Sequence, residues 1–156
     1  MTPFEFWKSY LKATGQKEDE AVYSGELCFE DSSWTGMSQL SLVLHNKKTA
    51  IFTPFPSFEI NRELLPAGGE VYIVEDTEEE PCAVIKVKEV KIVPFNQITW
   101  ELARLDGENE NLADWQDKER NFFEEEAALC GFDFTDDMEV VCEIFELVWT
   151  PPSSLK

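Results

Sequence analysis

The sequence predicts an α+β domain, a small curved sheet or open β-barrel with about four flanking helices. Three observations lead there. Apolar residues recur at helical spacing beside cap residues in four segments. Four other segments read as strands, too many for one flat sheet with so few hairpin signals. The longest of these changes its buried face partway along, as a bent strand must.

Each element follows from local chemistry. Thr2-Pro3 reads as N-cap and first helical position, and Phe4, Trp7, Tyr10 and Leu11 then recur at helical spacing up to Gly15. Lys17–Glu20 is a charged surface link. Met37, Leu40, Val43 and Leu44 form a second amphipathic helix, with Asn46 suited to the left-handed position past its end. Thr49–Thr53 is expected as a strand, and Pro54–Pro66, with three prolines, as irregular chain. Ala67-Gly68-Gly69 turns into a strand over Glu70–Val74, and Asp76–Glu80 is an acidic hairpin tip. In the long run Cys82–Pro94, Ile85 and Val87 share one face while Val90 and Ile92 share the other, which places a bulge near Lys88-Glu89. Asn96 caps a third helix carrying Ile98, Leu102 and Leu105 and ended by Gly107. Asn111 caps a fourth with Asp114 in its first turn, ending near Gly131. Glu139–Trp149 is the last strand. Residues 1–26 are expected to form a helix and linker packed on the main domain at 27–150, with 151–156 a flexible tail.

Composition bounds the function. The chain has 156 residues, which favours one domain, and 43% apolar content with 12 Phe and 5 Trp suffices for a core. No run approaches a membrane span, and the start Met-Thr-Pro-Phe-Glu-Phe-Trp-Lys has no basic leader region, so a cytoplasmic protein is expected. Against 13 basic residues stand 32 acidic ones, a formal net charge of −19 that disfavours long nucleic acid. Cys28, Cys82, Cys130 and Cys142 are scattered, and His45 is the single histidine. That pattern suits buried reduced thiols and neither a metal site nor a cofactor.

Three constellations stand out. Lys47-Lys48 is the only adjacent basic pair and lies at a helix-to-strand corner beside Thr49. It suits an anion or carbonyl contact, or equally a complement to the negative end of the preceding helix. Asp106-Gly107-Glu108 lies at a helix–helix joint. Its carboxylates either face a cleft and meet Lys48 or are solvated. On the fourth helix, Leu112, Trp115, Phe122, Ala127 and Leu129 trace an apolar stripe on which Glu119 falls. Glu119 either snorkels at the edge of that stripe or lines a polar cleft. No nucleophile elbow and no phosphate-binding loop is present.

Taken in order, these segments resemble the ASCH domain family over roughly Leu27 to Trp149. The resemblance rests on Cys28-Phe29-Glu30-Asp31, Asn46-Lys47-Lys48-Thr49-Ala50 and Pro66-Ala67-Gly68-Gly69-Glu70. It continues through Val93-Pro94-Phe95-Asn96, Leu102 to Glu108, Trp115 with Phe122-Phe123, and Val140 to Phe145. It implies a PUA-like fold and, for a larger bacterial branch, a cleft for RNA or a nucleotide- or nucleoside-like ligand. The expected ligand contacts are Lys47, Lys48, Thr49, Asp106, Glu108, Trp115 and Glu119, with Trp115 walling the cleft. The expected partner is a small nucleoside-like ligand or single-stranded RNA. Some smaller members hydrolyse N4-acetylcytidine with a lysine, a threonine and a glutamate. Carried over, the lysine is Lys48 and the glutamate position is Asp106. Those two are the catalytic residues if the chain is an amidohydrolase. The threonine position is Ile51, which has no hydroxyl. An acidic protein-interaction domain is the remaining alternative.

Overall fold

A computed structural model describes residues 1–29 and 38–152. The expected contributions of Glu30, Asp31 and Met37, and the tail at 153–156, lie outside the described residues. The first helix, α1 (Pro3–Thr14), has the caps its sequence announces: the Thr2 side chain accepts from the Glu5 amide, and Gly15 closes the helix at φ 71°. Two longer strands form the spine of a mixed sheet, β4 (Pro81–Pro94) and β5 (Glu139–Trp149). The remaining strands are β1 (Tyr23–Cys28), β2 (Ala50–Pro54) and β3 (Val71–Glu75), and the order across the sheet is β1-β3-β4-β5-β2. Among the described residues only the β1–β3 pairing is parallel.

The β4–β5 register slips between Val87 and Glu89, where the change of buried face required it. The added twist bends the sheet without closing it. Strand β5 consequently serves three separate cores. Val140 and Cys142 pack with Phe52, Phe95, Trp115 and Phe123. Phe145 packs with Val43, Val74 and Ile85, and Val148 with Phe6, Tyr10 and Ile73 of the α1 cluster. Full burial of Trp115 and Phe123 stabilises the first cluster by roughly 1.5–3 kcal/mol each.

The structure departs from the sequence reading in five places. Strand β1 had no counterpart in it; a half-exposed edge segment with Ser24, Gly25 and Glu26 carries almost no β pattern, and its pairing with β3 supplies the order. The stretch Pro54–Pro66 contains a helix, α3 (Phe55–Ile60), because Pro56 falls in its first turn, where the missing N–H is not needed. The helix expected from Asn96 is instead a 3₁₀ turn (Phe95–Gln97), a short helix α4 (Trp100–Ala103) and a second 3₁₀ turn (Arg104–Asp106). The break is at Ile98, which is extended (ψ 123°) and buried, followed by a second β-branched residue, Thr99. On the long helix α5 (Leu112–Cys130) the buried line is Trp115, Glu119, Phe123 and Ala127, a strict i, i+4 row. Leu129 is 87% exposed and Phe122 is half-exposed, so neither belongs to it. Of the four thiols, all free, only Cys142 is buried.

The helix before β2, α2 (Gln39–Leu44), ends as expected, with Asn46 left-handed at φ 58°. Among the described residues no helix is long and apolar enough to cross a membrane.

Candidate functional site

The turn after α2 delivers Lys48 to the interior. The amides of Lys47 and Lys48 both donate to the Leu42 carbonyl, at 2.8 and 3.0 Å, so the corner is held by backbone and the side chains remain free for other contacts. The Thr49 amide then donates to the Leu105 carbonyl at 2.8 Å, and the Thr49 carbonyl accepts from Phe145 at 2.9 Å. These bonds fasten the corner to the 3₁₀ turn that carries Asp106. Gly107, at φ 80°, lets the two backbones touch: a Cβ there would stand 2.7 Å from the Lys47 carbonyl carbon. The basic corner and the Asp-Gly-Glu joint are therefore one structural unit.

Lys48 and Asp106 form a buried ion pair, 5% and 2% exposed respectively. The second Asp106 oxygen accepts from Trp115 Nε1 at 3.0 Å and from Lys118 Nζ at 2.6 Å. The same Lys118 ammonium reaches Glu108 Oε2 at 2.7 Å and Glu119 Oε1 at 2.9 Å. Two lysines and three carboxyls thus form one cluster, with Lys118 at its centre. Burial works against an Asp106 carboxylate, but Lys48 and Lys118 override it and hold the group well below the usual range. Burial, with the Asp106 charge second, pushes Glu119 up to about 8. Burial works to lower Lys118 as well, yet the Glu119 and Asp106 carboxyls outweigh it and raise it above the ordinary lysine value.

A cavity of about 540 Å³ opens above this cluster. Lys48, Asp106, Glu108, Lys118 and Glu119 make its polar floor, while Leu27, Phe29, Ile51, Phe52, Pro54 and Phe122 make its apolar walls. The two edge strands of the sheet, β1 and β2, both line it, so the cavity sits where the bent sheet fails to close. Apolar walls around a few convergent polar groups are the usual make-up of a small-molecule site.

Four of the residues singled out from sequence, Lys48, Asp106, Glu108 and Glu119, meet at this floor. Three others do not line the cavity. Lys47 is exposed, because it stands in the bend just past α2, before the chain turns inward at Lys48. Thr49 serves through its backbone. Trp115 is fully buried behind Asp106, stacked on Phe95 at 5.6 Å and edge-on to Phe52 at 5.1 Å. It orients the carboxyl from behind and does not wall the cleft. The sequence reading missed Lys118 altogether. Its signal was positional: it stands four residues before Phe122, on the flank of α5 that faces the cavity. Among the described residues no group of His, Cys, Asp and Glu is arranged to hold a metal ion.

A family model for the ASCH domain matches residues 28–149. No curated protein matches the sequence. Among solved structures, the ASCH domain from Lactobacillus crispatus JV V101 is 26% identical, with a TM-score of 0.78 over 91% of this chain and 91% of its own. Protein EF3133 from Enterococcus faecalis V583, of family DUF984, is 28% identical, with a TM-score of 0.76 over 92% of this chain and 85% of its own. Hypothetical protein PH0355, 15% identical with a TM-score of 0.52, shares the fold alone.

Proposed function

From the premise that this chain belongs to the ASCH domain family, with its PUA-like fold, we propose that the protein is a binding module whose cavity holds a nucleoside-like ligand or an unpaired base of RNA. The observation that carries this reading is Lys48, which lines the cavity with its ammonium paired to Asp106. An ammonium has three donors, and among the described residues Asp106 is the one side-chain acceptor for Lys48. The remaining donors suit a ring carbonyl. Glu108 and Asp106 suit an exocyclic amine or a ribose hydroxyl, and Phe52, Phe122 and Ile51 offer apolar surface to a planar ring.

The test is a titration of nucleosides, nucleotides and short single-stranded RNA against the wild type and Lys48→Ala, read by thermal stabilisation. Stabilisation of the wild type, reduced in the variant, is expected. No stabilisation by any of them, or equal stabilisation of both proteins, refutes the reading.

One observation favours a second reading, an amidohydrolase acting on N4-acetylcytidine-like substrates. Thr53 lines the cavity and offers a hydroxyl that Ile51, also in the lining, lacks. Thr53 stands two residues further along β2, about 6.5–7 Å from the Ile51 position. A misplacement of that size disfavours catalysis strongly. Release of cytidine from N4-acetylcytidine, abolished in both Lys48→Ala and Thr53→Val, would establish the enzyme reading.

A further inference from the structure

Three buried carboxyls share two ammoniums beneath the cavity, so the cluster is one positive charge short of neutral. The hydrogen bonds say which acid bears the shortage. Lys118 has three N–H donors and sends one to each of Asp106, Glu108 and Glu119, which exhausts it. Asp106 also receives Lys48 and Trp115 Nε1. Among the described residues Glu119, at 6% exposure, has one cation for a partner, Lys118, and its carboxyl also lies within hydrogen-bonding reach of Asp106, a contact that two carboxyls make only if one of them keeps a proton. The groups facing it are Lys118 on its own helix, Asp106 on the second 3₁₀ turn and Glu108 on the following loop, with Lys48 behind Asp106. The remaining acid of the lining, Glu126, is engaged with Ser57 at 3.5 Å and brings no positive charge. An ionised carboxylate with one cation and a second carboxylate beside it in such a place costs several kcal/mol, and holding a proton removes most of that cost.

We propose that the cluster keeps one proton beyond those of its two lysines, carried on Glu119, and that this proton sets what the cavity accepts. With it in place the floor is neutral: two ammoniums, two carboxylates and one carboxylic acid. An uncharged polar ligand then meets donors from Lys48 and a floor with no net charge. An anion finds no unpaired cation there, inside a molecule of formal charge −19. When the proton leaves, the floor becomes negative. Filling the cavity would then bury an uncompensated charge more deeply, so the same ligand binds more weakly. The inference rests on the nucleoside reading for its ligand, but the proton itself is a property of the free protein. The burial that lifts Glu119 to about 8 agrees with this charge count.

Two measurements test it. In the free full chain with ¹³C-labelled glutamate carboxyls, one Cδ resonance should titrate above neutral pH and be missing from Glu119→Gln. If every resonance lost in that variant titrates in the ordinary glutamate range, the stored proton is refuted. Burial also pushes Glu143 up to about 7 and raises Glu75, so Glu143→Gln and Glu75→Gln together single out the Glu119 signal if Glu119→Gln does not fold. The second measurement is the dissociation constant of cytidine and of cytidine 5′-phosphate across pH. Cytidine affinity should fall by up to about tenfold per pH unit above the Glu119 midpoint. In Glu119→Gln, which keeps a donor but cannot ionise, it should stay flat. The phosphate should bind more weakly than cytidine at neutral pH. A pH-independent wild type, or tighter binding of the phosphate, overturns the proposal. Cytidine that binds at no pH overturns the nucleoside reading instead, and the titration alone then decides the stored proton.

Discussion

Replacing Gly107 by alanine tests whether the Asp-Gly-Glu joint and the lysine corner truly form one unit. The backbone at Gly107 is left-handed, φ 80°, and a Cβ there would stand 2.7 Å from the Lys47 carbonyl carbon and 3.0 Å from the Lys48 amide nitrogen. It would lie closer still to the Lys47 oxygen. The left-handed conformation costs an L-residue about 1–2 kcal/mol. Overlap with backbone adds about 1–3 kcal/mol, because the Lys47–Lys48 peptide and the peptide before it each donate a hydrogen bond to the Leu42 carbonyl, so the corner cannot swing aside. The expected loss is about 2–5 kcal/mol. For a chain of this length each kcal/mol moves Tm by about 2–4 °C, which gives a fall on the order of 10 °C. Gly131 is the control: it has φ 86° with nothing within 4 Å of its would-be Cβ, so Gly131→Ala carries the strain term alone. Thermal and urea unfolding of the two variants, followed side by side by circular dichroism, separate the terms. If Gly107→Ala loses no more than Gly131→Ala, the close approach of the two backbones is wrong, and with it the placement of Lys48.

Two further outcomes follow from the same structure. Burial, then a neighbouring carboxylate, raises Glu119 to about 8 and Glu143 to about 7. The folded state therefore holds two protons that the unfolded chain has released above the ordinary glutamate value. Stability is highest near that value and declines as pH climbs toward the folded pKa values, so Tm should drop between mildly acidic and slightly alkaline buffer. Glu119→Gln and Glu143→Gln should each flatten part of the drop; an unchanged slope in both would contradict the burial argument. On α5, Phe123→Ala should cost about 3–5 kcal/mol, whereas Leu129→Ala should fall within about 0.5 kcal/mol of wild type. Chemical denaturation of both variants checks which face of the helix is inside.

Much of the fold could be read from the sequence because its signals act over a few residues. Thr2 and Gly15 bracket α1, Asn111 and Gly131 bracket α5, and Asn46 adopts the left-handed turn past α2. The bulge near Lys88-Glu89 was visible as a change of face along one strand. Where burial rather than local preference decided the outcome, the reading failed. Ile98 leaves the helix to enter the core, and Phe123 replaces Phe122 as the inward aromatic. Strand β1 exists because β3 is beside it. The candidate site was legible to the same degree. Lys48, Asp106, Glu108 and Glu119 announce themselves as charges in unusual settings. Lys118, in a run of charged residues on a helix, looks like any solvated lysine.

The amino-acid order alone determined the caps of α1 and α5, the left-handed end of α2 and the presence of an acid on the buried line of α5, since those depend on neighbours one to four residues away. Only tertiary structure decided that Lys48 would meet Asp106, 58 positions later, and that Lys118 would be shared among three carboxyls. Charge pairing inside a protein depends on distance and on the exclusion of water, and both arise only when the bent sheet brings its edge strands, α2 and α5 around one cavity.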